Sequence, residues 1–147
     1  MIMIIGQYSS KLTDKNRVSV PKKFREELGE QLIIAKWYEY CLVVVSKDKW
    51  MDVLKRLTGM ESFITEPVRD IDRFILGSAY EVQLDSQGRF IVPDLLLSHA
   101  NIQSEATFVG LGDRIEIWSS EAWETLEHDS QSKAAEALET LSKASKQ

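Results

Sequence analysis

"LTDKNRVSVP" at residues 12–21 and "LDSQGRFIVP" at residues 84–93 align without a gap, and this internal repeat decides the fold. Leu12 matches Leu84, Arg17 matches Arg89, Val20 matches Val92 and Pro21 matches Pro93. Asn16 falls opposite Gly88. These two residue types enter the left-handed backbone region most readily, so each copy predicts a strand, a tight turn and a second strand.

The likeness extends downstream. After each proline a short helical stretch, "KKFREELG" or "DLLLSHAN", ends at Gly29 or Asn101. Two strands follow in each copy, "QLIIAKW" with "CLVVVS" and "ATFVGLG" with "RIEIWS", the second pair joined at Gly112 and Asp113. A serine-capped helix then closes each copy, with Trp50 aligned on Trp123. Between the copies Val68, Ile71, Phe74 and Ile75 recur at helical spacing after Pro67 and stop at Gly77, which predicts a connecting helix. The tail is rich in strong helix formers, with Ala134, Ala135, Leu138 and Leu141 on one narrow face, and should extend the last helix.

The expected organisation is a first repeat over residues 1–60, a connecting helix over 61–77, and a second repeat with its tail over 78–147. A copy this small would bury only about 60% of its unfolded surface alone. The two should therefore pack as one body, interleave their hairpins and close the sheet without exposed edges.

Composition narrows the function. With 147 residues, 44% hydrophobic and 28% charged, the chain has the make-up of a soluble globular protein. Cys41 lies in the apolar run "CLVVV" and reads as a buried, inert thiol in a reducing compartment. The apolar start "MIMII" is far shorter than the roughly 20 residues of a membrane span, and no targeting signal is read there.

The net charge of −5 is unevenly distributed. Residues 1–60 hold 11 basic and 7 acidic side chains, and residues 61–147 hold 7 and 16. Within residues 11–25 stand six cations, Lys11, Lys15, Arg17, Lys22, Lys23 and Arg25, against one acid, Asp14. Such a stripe attracts a polyanion even when the far side is acidic, because the Debye length at physiological salt is only about 8 Å. Lys22 and Lys23 stand at a helix start, where cations oppose the helix dipole, so compensation from outside the chain, such as DNA phosphate, is implied.

A two-stranded ribbon over residues 7–20 fits the major groove, and Arg17 is the first choice for pairing with guanine O6 and N7. Arg89 shares the motif position but is flanked by Asp85 and Asp94, which leaves both a DNA contact and a structural role open. Arg69 and Arg73 read as surface ion pairs. The four tryptophans, Trp37, Trp50, Trp118 and Trp123, read as core or subunit contacts rather than base-stacking platforms.

An enzyme finds little support. His99 and His128 have no metal-ligand spacing, and no nucleophile elbow, phosphate loop or Cys/His pair is present. Asp85 and Asp94 could form a carboxylate dyad, but acids beside a turn and at a helix start ordinarily cap them.

At these residues the chain resembles the MraZ family, built from two copies of a swapped-hairpin AbrB-type domain, each marked by a D-x-x-G-R motif. The second copy matches through Asp85, Gly88 and Arg89 followed by "FIVP", and "RFILGSAYEVQLD" and "VGLGDRIEIWSSEAWE" resemble the family as well. The first copy departs from it: Thr13 stands in place of the aspartate, with Asp14 adjacent, Asn16 replaces the glycine, and "MIIG" lacks the basic residue usual before Gly6. The resemblance makes both Met1 and Met3 candidate starts, and with Met3 as the start Met1 and Ile2 are an extension.

The resemblance implies an α+β fold in which a duplicated strand-strand-helix-strand-strand-helix unit forms an AbrB-like swapped-hairpin β-barrel with peripheral helices. It also implies a cytoplasmic, nucleoid-associated bacterial regulator that assembles into homo-oligomeric rings. Such a protein binds short direct repeats in double-stranded promoter DNA and commonly represses its own operon of division and cell-wall genes. No cofactor, metal, membrane or small-molecule substrate is expected. Lys11, Lys15, Arg17, Lys22, Lys23, Arg25 and Arg89 are the expected DNA-binding residues. The alternative is an antitoxin-like or other protein-binding module on the same barrel, with residues 128–147 as its partner-binding tail.

Overall fold

A computed structural model describes residues 3–59 and 65–145. The first copy forms β1 (Ile4–Lys11), β2 (Arg17–Ser19), α1 (Lys22–Leu28), β3 (Gln31–Lys36), β4 (Leu42–Ser46) and α2 (Trp50–Thr58). A connecting helix α3 (Glu66–Ile75) follows. The second copy forms β5 (Tyr80–Gln83), β6 (Arg89–Ile91), α4 (Asp94–Ala100), β7 (Glu105–Gly112), β8 (Ile115–Ser119) and α5 (Ser120–Ser145). The connecting helix expected over 61–77 thus appears from Glu66, while residues 61–64 of that expectation, like Met1 and Ile2, lie outside the described residues.

The protein is mixed α and β, with antiparallel pairing throughout. Six strands run in the order β1-β7-β8-β4-β3-β5, and β2 and β6 form a separate two-stranded ribbon. The copies exchange strands. β1 of the first pairs along its whole length with β7 of the second, β5 of the second pairs with β3 of the first, and the ribbon takes one strand from each.

Two expectations are corrected here. The ribbon expected over residues 7–20 does not form, because β1 and β2 take different partners and meet as a local hairpin only at the Thr13–Arg17 bridge. Nor is the sheet a closed barrel: β1 and β5 are its edges. The ribbon's last bonds, from Val20 N–H and Val92 N–H, stop at Pro21 and Pro93, which have no N–H to donate. The amide of Ser19 donates to the hydroxyl of Ser10 on β1, at 3.2 Å.

Apolar clusters cover both faces of the large sheet. On one face Leu32, Ile34, Leu42 and Val44 pack with Val18 and Phe90 of the ribbon, Phe24 and Leu28 of α1, and Leu96 and Leu97 of α4. On the other, Ile33, Ala35, Val43 and Val45 pack with Trp50, Val53 and Leu54 of α2 and with Ile75 of α3. Coverage on both sides explains why β3 and β4 are apolar at successive positions instead of alternating. Trp37, Trp50 and Trp118 are buried in the second cluster and Trp123 packs against it.

The helix starts differ between copies. Ser119 caps α5 by accepting the amide of Ala122 at 3.1 Å, whereas Ser46 makes no side-chain cap and a 3-10 turn over Lys47–Lys49 leads into α2. The tail does extend the last helix, as α5 runs for 26 residues. Its proximal part is pinned through Gln7, whose side-chain oxygen accepts Trp123 Nε1–H at 2.9 Å and whose amide donates to Glu127.

Candidate nucleic-acid interface

The ribbon is built from two nearly identical turns. Thr13 N–H donates to Arg17 O at 2.9 Å, and Asp85 N–H to Arg89 O at the same distance. Asn16 N–H donates to Thr13 O and Gly88 N–H to Asp85 O, at 3.1 and 3.0 Å. Val20 N–H then reaches Gly88 O, and Val92 N–H reaches Asn16 O, both at 2.9 Å, so each strand is tied to the other copy's turn. Asn16 and Gly88 have φ of 60° and 76°, the left-handed conformation their residue types favour.

Alternation along these strands decides what faces outward. Val18 and Phe90 are paired and buried, so Arg17, Ser19, Arg89 and Ile91 point the other way. The register sets Arg17 opposite Ile91 and Ser19 opposite Arg89, which places the two arginines diagonally on one face. Their bonding differs. Arg89 Nε donates to Asp85 Oδ2 at 3.0 Å, while the Arg17 guanidinium has no hydrogen-bond or ion-pair partner among the described residues.

Asp85 also accepts the amides of Gln87 and Arg89 at Oδ1, each at 2.9 Å. The Arg89 amide above all holds its carboxyl below the usual carboxylate range; desolvation opposes it, and the Gln87 amide and the Arg89 guanidinium add to the lowering. Asp94 turns elsewhere and accepts Asn16 Nδ2–H at 3.1 Å. The two carboxylates therefore have separate tasks and form no dyad.

Lys22 and Lys23 are the first two residues of α1 and are exposed. They line one groove with Tyr8, Ser10, Ser19 and Arg25. Lys22 and Arg25 also line a second groove, with Asp85, Ser86 and Gly88 of the other copy. Arg25 lies across Gly88 so closely that a Cβ there would collide with its guanidinium, and its Nε is enclosed without a hydrogen-bond partner among the described residues. Lys15 is exposed in the turn at φ 64°, and Lys11 ends β1 opposite Glu105.

The fold therefore joins Arg17 with Arg89 on the ribbon face and Lys22, Lys23 and Arg25 around adjoining grooves, with Lys15 in the turn that leads into β2. Sequence reasoning missed Ser10 and Ser19, which add hydroxyls to the lysine groove. Ser19 lies two residues after Arg17, so strand alternation was the signal that could have found it.

Other sequence-predicted groups lie off this face. His99 sits between the rings of Tyr40 and Phe74, with Nε2 3.0 Å from Trp37 O. Arg73 pairs with Asp70 at 3.4 Å on α3. Burial pushes the Cys41 thiol well above its ordinary range. Among the described residues no cluster of three or more His, Cys, Asp or Glu side chains could hold a metal ion, and no helix is long and apolar enough to cross a membrane.

A family model described as an antitoxin-like MraZ protein matches the chain twice, over residues 3–74 and 75–144. The transcriptional regulator MraZ of Caldanaerobacter subterraneus subsp. tengcongensis is 40% identical over 122 residues, which is 83% of this chain and 85% of that protein. The protein of the same name from Alkaliphilus oremlandii is 41% identical over 127 residues, 86% and 88% of the two chains. One from a Thermoanaerobacter species is 37% identical over 139 residues, 95% and 96% of the two.

Proposed function

The chain belongs to the MraZ family, and on that premise we propose that it is a transcriptional regulator whose β2–β6 ribbon binds duplex DNA. One observation carries the reading: two arginines stand diagonally on the outer face of a two-stranded ribbon, and the lysines of α1 follow directly from one of its strands. A ribbon of this width enters the major groove, where an arginine fork matches guanine O6 and N7 and lysines match phosphates.

Arg17, whose guanidinium has no partner among the described residues, is the base reader. Lys11, Lys15, Lys22, Lys23 and Arg25 supply the positive field, and Arg89 supports the ribbon and adds a contact beside it. The finer reading follows the family resemblance. Short direct repeats in the promoter of its own division and cell-wall operon are the target, repression is the outcome, and a swapped-hairpin unit in a homo-oligomeric ring in the cytoplasm, at the nucleoid, is the acting form.

The test is a footprint on the DNA upstream of the protein's own gene, followed by titrations of two variants. Arg17→Ala should cost about 1–3 kcal/mol per engaged subunit and relax base preference. Lys22→Ala should weaken operator and random duplexes alike. Unchanged affinity and preference in Arg17→Ala would remove that residue from base reading.

The antitoxin-like description of the matching family model keeps one second reading in view, a protein-binding module. In that reading the distal part of α5, where Leu138 and Leu141 are exposed, meets the partner. A protein that co-purifies tightly and leaves when α5 is truncated would favour it.

A further inference from the structure

The two turns serve as controls for one another, since their backbone bonds match pair by pair and their flanking prolines align. Four aligned turn side chains differ, Thr13 from Asp85, Asp14 from Ser86, Lys15 from Gln87 and Asn16 from Gly88, and the first of these pairs decides what holds the arginine. Asp85 closes its turn with a carboxylate that accepts two amides and the Arg89 guanidinium. At the aligned position Thr13 offers only a hydroxyl, which donates to Arg17 O at 3.3 Å. A hydroxyl carries no charge and cannot hold a guanidinium as a carboxylate does.

Two differences accompany that exchange. Arg17 is left without a partner among the described residues, and the neighbouring Asp14 carboxylate does not take the missing place. In the first turn Lys15 as well as Asn16 is left-handed, at φ 64° and 60°, whereas in the second only Gly88 is.

We propose that Thr13 is the positioning residue of the interface: by standing where the other copy has an aspartate, it leaves Arg17 available to nucleic acid, while Asp85 keeps Arg89 engaged within the protein. The proposal rests on the reading of the ribbon as the DNA face. Carboxylate and phosphate, or a guanine edge, compete for the same guanidinium. An arginine paired with a carboxylate brings no net charge to DNA and releases fewer counterions. A held arginine keeps its two Nη groups, so capture weakens its hold on DNA without abolishing it.

The test exchanges the two side chains and reads the free protein as well as the complex. In the free protein, the Arg89 Nε–H should exchange slowly with water and the Arg17 Nε–H quickly, as read by NMR. Thr13→Asp should slow the Arg17 signal and raise the melting temperature. The same variant should bind a duplex from the promoter of the protein's own gene about tenfold more weakly, with the salt slope smaller by about 0.9 for each phosphate no longer neutralised. In an Arg17→Gln background Thr13→Asp should cost much less affinity, which separates capture of Arg17 from plain repulsion of DNA. Asp85→Thr should do the converse, lowering the melting temperature, speeding exchange at Arg89 and steepening the salt slope.

A fast Arg17 Nε–H in Thr13→Asp would overturn the proposal. So would capture of Arg17 with affinity and slope unchanged, or an equal loss of affinity in the Arg17→Gln background; in each case DNA binding by the ribbon would stand. Wild-type protein that binds neither the promoter duplex nor a random one at low salt would overturn the DNA reading and this proposal with it.

Discussion

Arg17 and Arg89 occupy the same place in the repeated unit, yet truncating them removes different things. Arg89→Ala removes the guanidinium that Asp85 Oδ2 accepts and leaves that carboxylate only the backbone amides of residues 87 and 89. Arg17→Ala breaks no such bond. Arg89→Ala should therefore lower the melting temperature more than Arg17→Ala does, while Arg17→Ala should lose the more DNA affinity. Thermal melts and titrations of one promoter duplex read the two orderings, and reversal of both would exchange the roles of the copies. At this scale the turn was legible from Asn16 and Gly88, because a left-handed backbone restricts residue type. The partner of Arg89 was not, since Asp85 and Asp94 flank it almost equally in sequence. Only the curvature of the turn brings Asp85 back to it and leaves Asp94 to Asn16 of the other copy.

Strands, unlike turns, owe their partners to distant sequence. The turn residues that announced a hairpin specify that the chain reverses, not which strand it then pairs with, so β1 and β2 were legible while β7 and β6 as their partners were not. The β1–β7 pairing has one point of closest approach. A Cβ on Gly110 would lie 2.8 Å from Ile5 N and 2.9 Å from Ile4 C, both backbone atoms that cannot swing aside. Gly110→Ala should cost about 1–3 kcal/mol in denaturant titrations. Gly77→Ala, with nothing within 4 Å, should be neutral or slightly stabilising, so equal effects at the two sites would contradict a close approach of the strands at Gly110. The neighbouring strand β8 carries a pH-dependent cost. Burial raises the Glu116 carboxyl above its usual range and Glu39 adds to the rise, against opposing effects of the Trp118 Nε1–H bond at 2.9 Å and of Arg114. A carboxyl raised by folding favours the folded state fully below its unfolded pKa and loses that contribution as pH rises through the folded value. Glu116→Gln, whose side-chain carbonyl can still accept from Trp118, should melt a few degrees higher than wild type at pH 7. The difference should vanish below about pH 4, under the ordinary glutamate pKa. Melting curves across that range check the sign.

For the whole molecule, an acidic chain must bind a polyanion through a local surface. The first 60 residues hold the basic excess and the rest hold the acids, so this division was legible by counting along the chain. What counting could not supply is the strand exchange that sets Arg89, from the acidic part, beside Arg17 on one ribbon. On the proposed reading one subunit would offer at most about six phosphate contacts, each contributing roughly 0.9 to the slope of log affinity against log salt, and a lone interface should bind weakly at physiological salt. Joining several interfaces in one ring makes each later contact intramolecular, and avidity can raise affinity by about 10² to 10⁴ where the spacing of sites matches. Operator repeats should then lie on one face of the duplex, about 10 to 10.5 base pairs apart or a multiple of that. Inserting about five base pairs between two repeats turns the second to the opposite face with little change in length. Affinity should fall steeply with that insertion and return at about ten inserted pairs. Binding indifferent to both insertions would rule out the multivalent assembly, while leaving the ribbon and Arg17 to be judged on their own variants.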